Sequence, residues 1–225
     1  MKSTSYLRRV ARHAALAAAA AGLVFSASPA FAAPAPASPA APPAASSSNA
    51  AILARITDYL NSIKTVTARF VQVAQDGSIR NGQAILQRPG KMRFQYDPPD
   101  PQLLVAGFGL LVFHDPQLGQ TTNIPLSSTP LGMLLAKHVR LSGPVTVTGL
   151  AKPPGEVQVT LIRTGKPQQG HLTLVFSTHP LELRQWQVTD AQGRTTQVTL
   201  YDLHATKPFP NKDFEYVPGY MPNSG

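Results

Sequence analysis

The chain has 225 residues, no cysteine, 20 Lys and Arg against 11 Asp and Glu, and a formal net charge of +9. Without cysteine no disulfide can carry stability, so a hydrophobic core has to form. The cations form no stripe or motif that would mark a nucleic-acid partner. Four of them lie in the first 32 residues, which leaves a net +5 for the rest.

The chain opens on a basic stretch, Lys2, Arg8, Arg9 and Arg12, followed by an apolar run from Ala14 to Phe25. That run is short and alanine-rich for a membrane span. Ala30-Phe31-Ala32 then supplies the small-x-small pattern of a cleavage site, so residues 1–32 are expected to be a cleavable secretory signal peptide. Val10 and Ala11 do not extend Arg8-Arg9 into a twin-arginine signal, which favours general secretion. Residues 33–48, "APAPASPAAPPAASSS", lack the apolar content to offset the entropy of ordering and are expected to be a flexible linker. The domain is expected over 49–225.

Asn49 is placed to cap a helix over Ala50–Ile63. Ile52, Ile56, Tyr59, Leu60 and Ile63 share one face, while Arg55, Asp58, Asn61 and Lys64 fall elsewhere. A run of strands follows. "TVTARFVQV" leads into the Asp76-Gly77 turn; "GQAILQR", "MRFQY", "QLLVAG", "LLVFHD" and "GQTTNI" come next. The second half offers "PVTVTGL", "EVQVTLIR", "HLTLVFST", "LELRQWQVT" and "TQVTLYDL", separated by turns at Thr164–Pro167 and Asp190–Gly193. This spacing predicts one large antiparallel meander, wide enough to curl towards a barrel. Between the two series, Thr129 and Pro130 are placed to open a short apolar helix, "LGMLLAKH", with Thr129 as its cap. The two helices either complete a packed core or form a lid over a cavity, and periodicity does not choose between these.

Period-two parity puts Ala84, Leu86 and Arg88 on one face, and Met92, Phe94 and Tyr96 resume it after Pro89-Gly90. Gln83, Gln87, Arg93 and Gln95 fall on the opposite face and are expected in solvent. An arginine in line with an apolar face either points inward, where its donors must be satisfied, or snorkels at the rim. Trp186 alternates with Val188 and is expected in the core or a cavity wall. The histidines at 13, 114, 138, 171, 179 and 204 form no metal-binding pattern, and no nucleophile motif accompanies His114-Asp115. No enzyme, metal or cofactor is expected.

The stretch "GQAILQRPGKMRFQYDPPDPQLLVAGFGLLVFHDPQLGQ", with "ARFVQ" before it, "TPLGMLL" after it and "FEYVP" near the end, resembles the LolA family of periplasmic lipoprotein carriers. The resemblance covers about Ala50 to Pro218. It implies an incomplete antiparallel β-barrel closed by short helices that form a lid over an apolar cavity. It also implies that Arg88, in the family's "RP" motif, latches the lid from inside when the protein is empty. Leu86, Met92, Phe94, Tyr96, Leu131, Leu134 and Leu135 would then form the cavity for acyl chains. The implied partners are triacylated lipoproteins, a LolCDE-type ABC transporter of the inner membrane and a LolB-type outer-membrane receptor, met by a periplasmic monomer. The chain departs from the family at Gly107-Phe108-Gly109, where an Asp-Gly turn is usual; Phe108 there either projects as an apolar contact or folds inward. Two other readings stand beside the carrier. One is a periplasmic sensor that binds an anti-sigma factor, which usually needs a second domain; the other is a carrier of a different lipid.

Overall fold

The computed structural model describes residues 43–99 and 101–217, and the expected signal peptide lies outside them. Eleven strands form a single antiparallel sheet: β1 (Thr65–Ala74), β2 (Ile79–Gln87), β3 (Lys91–Tyr96), β4 (Leu103–Gly107), β5 (Leu110–Asp115), β6 (Gln120–Pro125), β7 (Val145–Ala151), β8 (Glu156–Arg163), β9 (His171–Thr178), β10 (Leu181–Thr189) and β11 (Thr195–Ala205). The spatial order is β6-β5-β4-β3-β2-β1-β11-β10-β9-β8-β7, so β6 and β7 are free edges and the barrel is not closed. The expected single meander is therefore two meanders, β1–β6 and β7–β11, joined where β1 pairs with β11. A chain leaving one edge at β6 and entering the other at β7 must cross the sheet, and residues 126–144 do so over its concave face.

The hairpins form where the turn chemistry placed them. Asp76 Oδ1 accepts the Ser78 amide at 2.9 Å and Gly77 takes φ +80°. Asp190 Oδ1 accepts the amides of Gln192 and Arg194, both at 2.9 Å. Bulges between Thr67 and Arg69, Val147 and Gly149, and Leu183 and Gln185 shift the pairing registers. Such insertions bend and twist a sheet, so three of them help curl this one around its inner face.

That inner face carries the core. Phe70, Phe94 and Trp186 lie at its centre, with the Phe70 and Phe94 rings 4.6 Å apart and the Phe94 and Trp186 rings 5.8 Å apart. Gly82 makes this possible, because a Cβ there would come within 2.6 Å of the Phe70 ring. The helix α1 (Pro43–Ser62) lays Ile56 and Leu60 onto the same core. It begins seven residues before the expected Ala50, so residues 43–48, expected in the linker, are helical; residues 33–42 are outside the described part. The second helix, α2, is a single turn, Leu131–Leu134, shorter than expected. Thr129 does not cap it. Its hydroxyl instead donates back to the Leu126 carbonyl at 2.9 Å, closing the preceding 3-10 turn.

The outer face departs from simple alternation on one side. Gln87 and Arg93, expected in solvent, are 7% and 6% exposed, while Gln83 is exposed as expected. The cover is the segment after β11. Gln87 donates to the Phe209 carbonyl at 3.2 Å and accepts the Phe209 amide at 2.7 Å. Arg93 donates to the Asp213 carbonyl at 3.2 Å and to Gln95 Oε1 at 2.7 Å. Phe214 then seals Leu103 and Val105 into a second apolar cluster. This explains why "LLVAG" is apolar throughout: β4 is buried on both faces.

Candidate functional site: the apolar interior and its lid

Two short helices and the loop after α2 cover the concave face. Their apolar contacts are continuous with the sheet: Leu131, Met133, Leu134, Leu135 and Val139 belong to the same buried cluster as Met92, Phe94 and Tyr96. A small set of polar bonds fixes where the cover sits. Arg88 Nε and Nη2 both donate to the Ile63 carbonyl, at 3.1 and 2.7 Å, just beyond the last turn of α1. Carbonyls at a helix C-terminus have no intrahelical donor, and they carry the negative end of the helix dipole, so a guanidinium suits them. The Gly90 amide, in the turn between β2 and β3, donates to the carbonyl of Leu135, which caps the end of α2, at 2.8 Å. Asn61 clasps the loop: its Nδ2 donates to the Val139 carbonyl and its Oδ1 accepts the Val139 amide, both at 2.9 Å. Tyr59 Oη accepts the Leu183 amide at 3.0 Å, tying α1 to β10. The bonds that Asn61 and Tyr59 make to distant backbone escaped sequence reading, which placed Tyr59 only on the apolar face of the helix. Asn61 falls off the apolar face, and nothing local marks a side chain whose partner is 78 residues away.

Under the lid lies a cavity of only about 20 Å³, lined by Leu60, Ile63, Val66, Leu86, Arg88, Leu134, Leu135, Leu183, Leu200 and Leu203. Arg88, Leu86, Leu134 and Leu135 thus meet at one place. Met92, Phe94, Tyr96 and Leu131 are buried but do not line this cavity. Tyr96 packs edge-on against Phe70 and donates to Gln72 Oε1 at 2.7 Å; burial pushes its pKa up to about 12. Burial likewise lowers the Arg88 pKa, as desolvation must for a cation. A space of this size holds about one water.

A groove of about 490 Å³ lies outside the lid, beside the end of α1, and shares Ile63, Val66 and Leu203 with the inner cavity. Those three residues form a common wall. The residue whose carbonyl Arg88 holds is one of them.

The model of the family described as outer membrane lipoprotein carrier protein LolA matches residues 61–217. The chain belongs to the LolA family. A protein named outer-membrane lipoprotein carrier protein from Pseudomonas paraeruginosa is 28% identical over 181 residues, covering 76% of this chain and 86% of its own. One of the same name from Methylococcus capsulatus is 28% identical over 174 residues, covering 73% and 83%. Among solved structures, a LolA superfamily protein from Nitrosomonas europaea aligns with a TM-score of 0.41 at 11% identity, covering 73% of this chain and 97% of that one. As a LolA family member the chain is mainly β, with an unclosed antiparallel sheet.

Phe108, left open between two placements, points outward: it is 68% exposed, at φ +51° in the turn from β4 to β5. His114 and Asp115 form no catalytic pair. His114 Nδ1 lies 3.0 Å from Thr121 Oγ1, while Asp115 accepts Gln102 Nε2 at 2.8 Å and the amides of Gln117 and Leu118. Among the described residues no three His, Asp or Glu come together as a metal site, and no helix is long and apolar enough to cross a membrane.

Proposed function

We propose that this LolA family protein is a periplasmic carrier that takes the acyl chains of lipoproteins released from the inner membrane into its interior and delivers them to the outer membrane. The observation that carries this reading is the construction of the lid. An apolar inner face is covered by two helices held by a handful of polar bonds, Arg88–Ile63 among them. A core meant to stay shut needs no inward arginine.

The chemistry asked of the protein is burial. Three acyl chains present on the order of 40 methylenes, each worth about 0.8 kcal/mol on leaving water. Free passage across the periplasm is prohibitive at that cost, and a concave apolar host removes it without any covalent step. The cargo is a triacylated lipoprotein. A LolCDE-type ABC transporter supplies the work of extraction, and a LolB-type receptor accepts the load. Arg88 acts as the latch, and Leu86, Met92, Phe94, Tyr96, Leu131, Leu134 and Leu135 become the walls around the chains once the lid lifts. Native mass spectrometry of the protein isolated from a periplasmic fraction tests the reading. A bound lipoprotein, or its acylated N-terminal peptide, supports it. Protein that stays empty while its cell exports lipoproteins, and takes up none from purified transporter in vesicles, refutes it.

A further inference from the structure

The turn from β4 to β5 carries a residue that its own geometry disfavours. Gly107 pairs with Leu110, so the turn consists of Phe108 and Gly109, at φ +51° and +81°. A two-residue turn with both angles positive suits Asn-Gly or Asp-Gly, and for a bulky side chain a positive φ is a strained outlier. Among the described residues Asp202 is the one other non-glycine with a positive φ, and a short polar side chain tolerates that region. Phe108 gains no burial in return: it is 68% exposed, and Leu110 beside it is 42% exposed. An open groove of about 390 Å³ separates this turn from Phe214, Glu215 and Tyr216. Strain at a side chain that the fold does not bury points to a use outside the fold. We propose that the β4–β5 turn is a docking tip for an anionic bilayer, with Phe108 entering the interface between headgroups and acyl chains.

Charge and area both favour a bilayer as the partner. Within β1–β6 and the segment after β11, the end of the sheet that holds this turn carries Lys64, Lys91, Lys207 and Lys212, against Asp213 and Glu215; Asp76, Asp97 and Asp115 sit in turns at the opposite end. None of those four lysines forms a salt bridge among the described residues. An apolar tip among unpaired lysines suits a surface of headgroup phosphates over acyl chains. A stable protein partner needs roughly 800 Å² of complementary surface, which two side chains at a two-residue turn do not supply, whereas a wedge in a bilayer needs no such area. The Leu126 amide donates to the Gly109 carbonyl at 2.8 Å, so the segment that crosses the interior starts from this turn. Docking here holds the first residues of the cover at the bilayer. The inference goes beyond the carrier reading and does not need it, because the tip meets a bilayer whether or not the interior holds cargo.

The test is co-sedimentation of the protein, without added cargo, with vesicles of phosphatidylglycerol and phosphatidylethanolamine and with vesicles of phosphatidylcholine alone. Wild type should bind the anionic vesicles more tightly, and Phe108→Asn should lower that affinity roughly tenfold, the worth of returning one phenylalanine ring to water. Asparagine suits the turn, so this variant should melt no lower than wild type. Phe108→Trp, read over the buried Trp186, should shift its emission to the blue on the anionic vesicles and be quenched by lipids brominated near the top of the acyl chain. Absence of binding by wild type overturns the proposal, as does equal affinity for the two kinds of vesicle or an affinity unchanged in Phe108→Asn. A melting temperature lowered in Phe108→Asn makes Phe108 a structural residue of the turn and overturns it too. Wild type that leaves vesicles unbound but is captured by an envelope protein, through a photo-crosslinking amino acid in place of Phe108, overturns it in favour of a protein partner.

Discussion

Arg88 sits at the balance of two costs. An inward guanidinium is expensive to bury, yet each bond it makes from a charged donor is worth about 1.5–3 kcal/mol. Arg88→Leu removes both, so the melting temperature should change little while the lid loses its hold on the Ile63 carbonyl. Under the carrier reading, the closed state then competes less with lipid, and the variant should retain a loaded lipoprotein and transfer it slowly to acceptor membranes; normal transfer would reduce Arg88 to a rim residue. Asp115 answers to pH instead. The Leu118 amide, then Gln102 and the Gln117 amide, holds its carboxyl below the usual carboxylate range. A depressed folded-state pKa contributes stability that is complete above the unfolded value and is lost as pH falls through the folded one. Asp115→Asn should therefore melt lower than wild type at neutral pH, and the gap should narrow as the pH is taken down through about 4 and below, as followed by circular dichroism.

Among the elements, α1 and the loop after α2 are joined by Asn61. Asn61→Ala leaves the Val139 amide and carbonyl without that partner, a loss of about 1–3 kcal/mol in a partly buried site. Hydrogen exchange should speed up at the end of α1 and around Val139, with the β-strand amides unaffected; uniform acceleration would mean that the lid is not a separable unit. The segment after β11 is the other dependent piece. Gly107 faces the Phe214 backbone so closely that a Cβ would collide with the Phe214 carbonyl oxygen. Gly107→Ala should lift the segment, speed tryptic cleavage after Lys212, and expose Arg93, while the inner core keeps its near-ultraviolet signal from Trp186. Unchanged cleavage would show that the segment tolerates the shift.

At the scale of the molecule, the cavity beside Arg88 holds about one water among the described residues; under the carrier reading, acyl chains enter there only by displacing the helices that cover it. A photo-crosslinking amino acid in place of Phe94 or Leu131, buried on the inner face and under the lid, should capture acyl chains during transfer. The same group in place of Gln83, exposed on the outer face, should not. Capture from Gln83 alone would put the lipid on the wrong side of the sheet.

How much of this was written in the sequence divides along physical lines. Strands, turns and the inward face follow from periods of two, Asp-Gly chemistry and local propensity, which act over a few residues; all eleven strands and the burial of Met92, Phe94 and Tyr96 were legible for that reason. Parity placed Arg88 in line with Leu86 but could not say what it bonds, because Ile63 is 25 residues away and reaches it only through the fold. Still longer separations hid Asn61 on Val139 and the burial of Gln87 and Arg93 beneath a segment about 120 residues further along. A side chain's period tells which face it takes; what covers that face is decided by segments that meet only when the sheet has curled. The pairing of β1 with β11 and the passage of residues 126–144 across the concave side are of that kind, and they turn a row of hairpins into an interior with a lid.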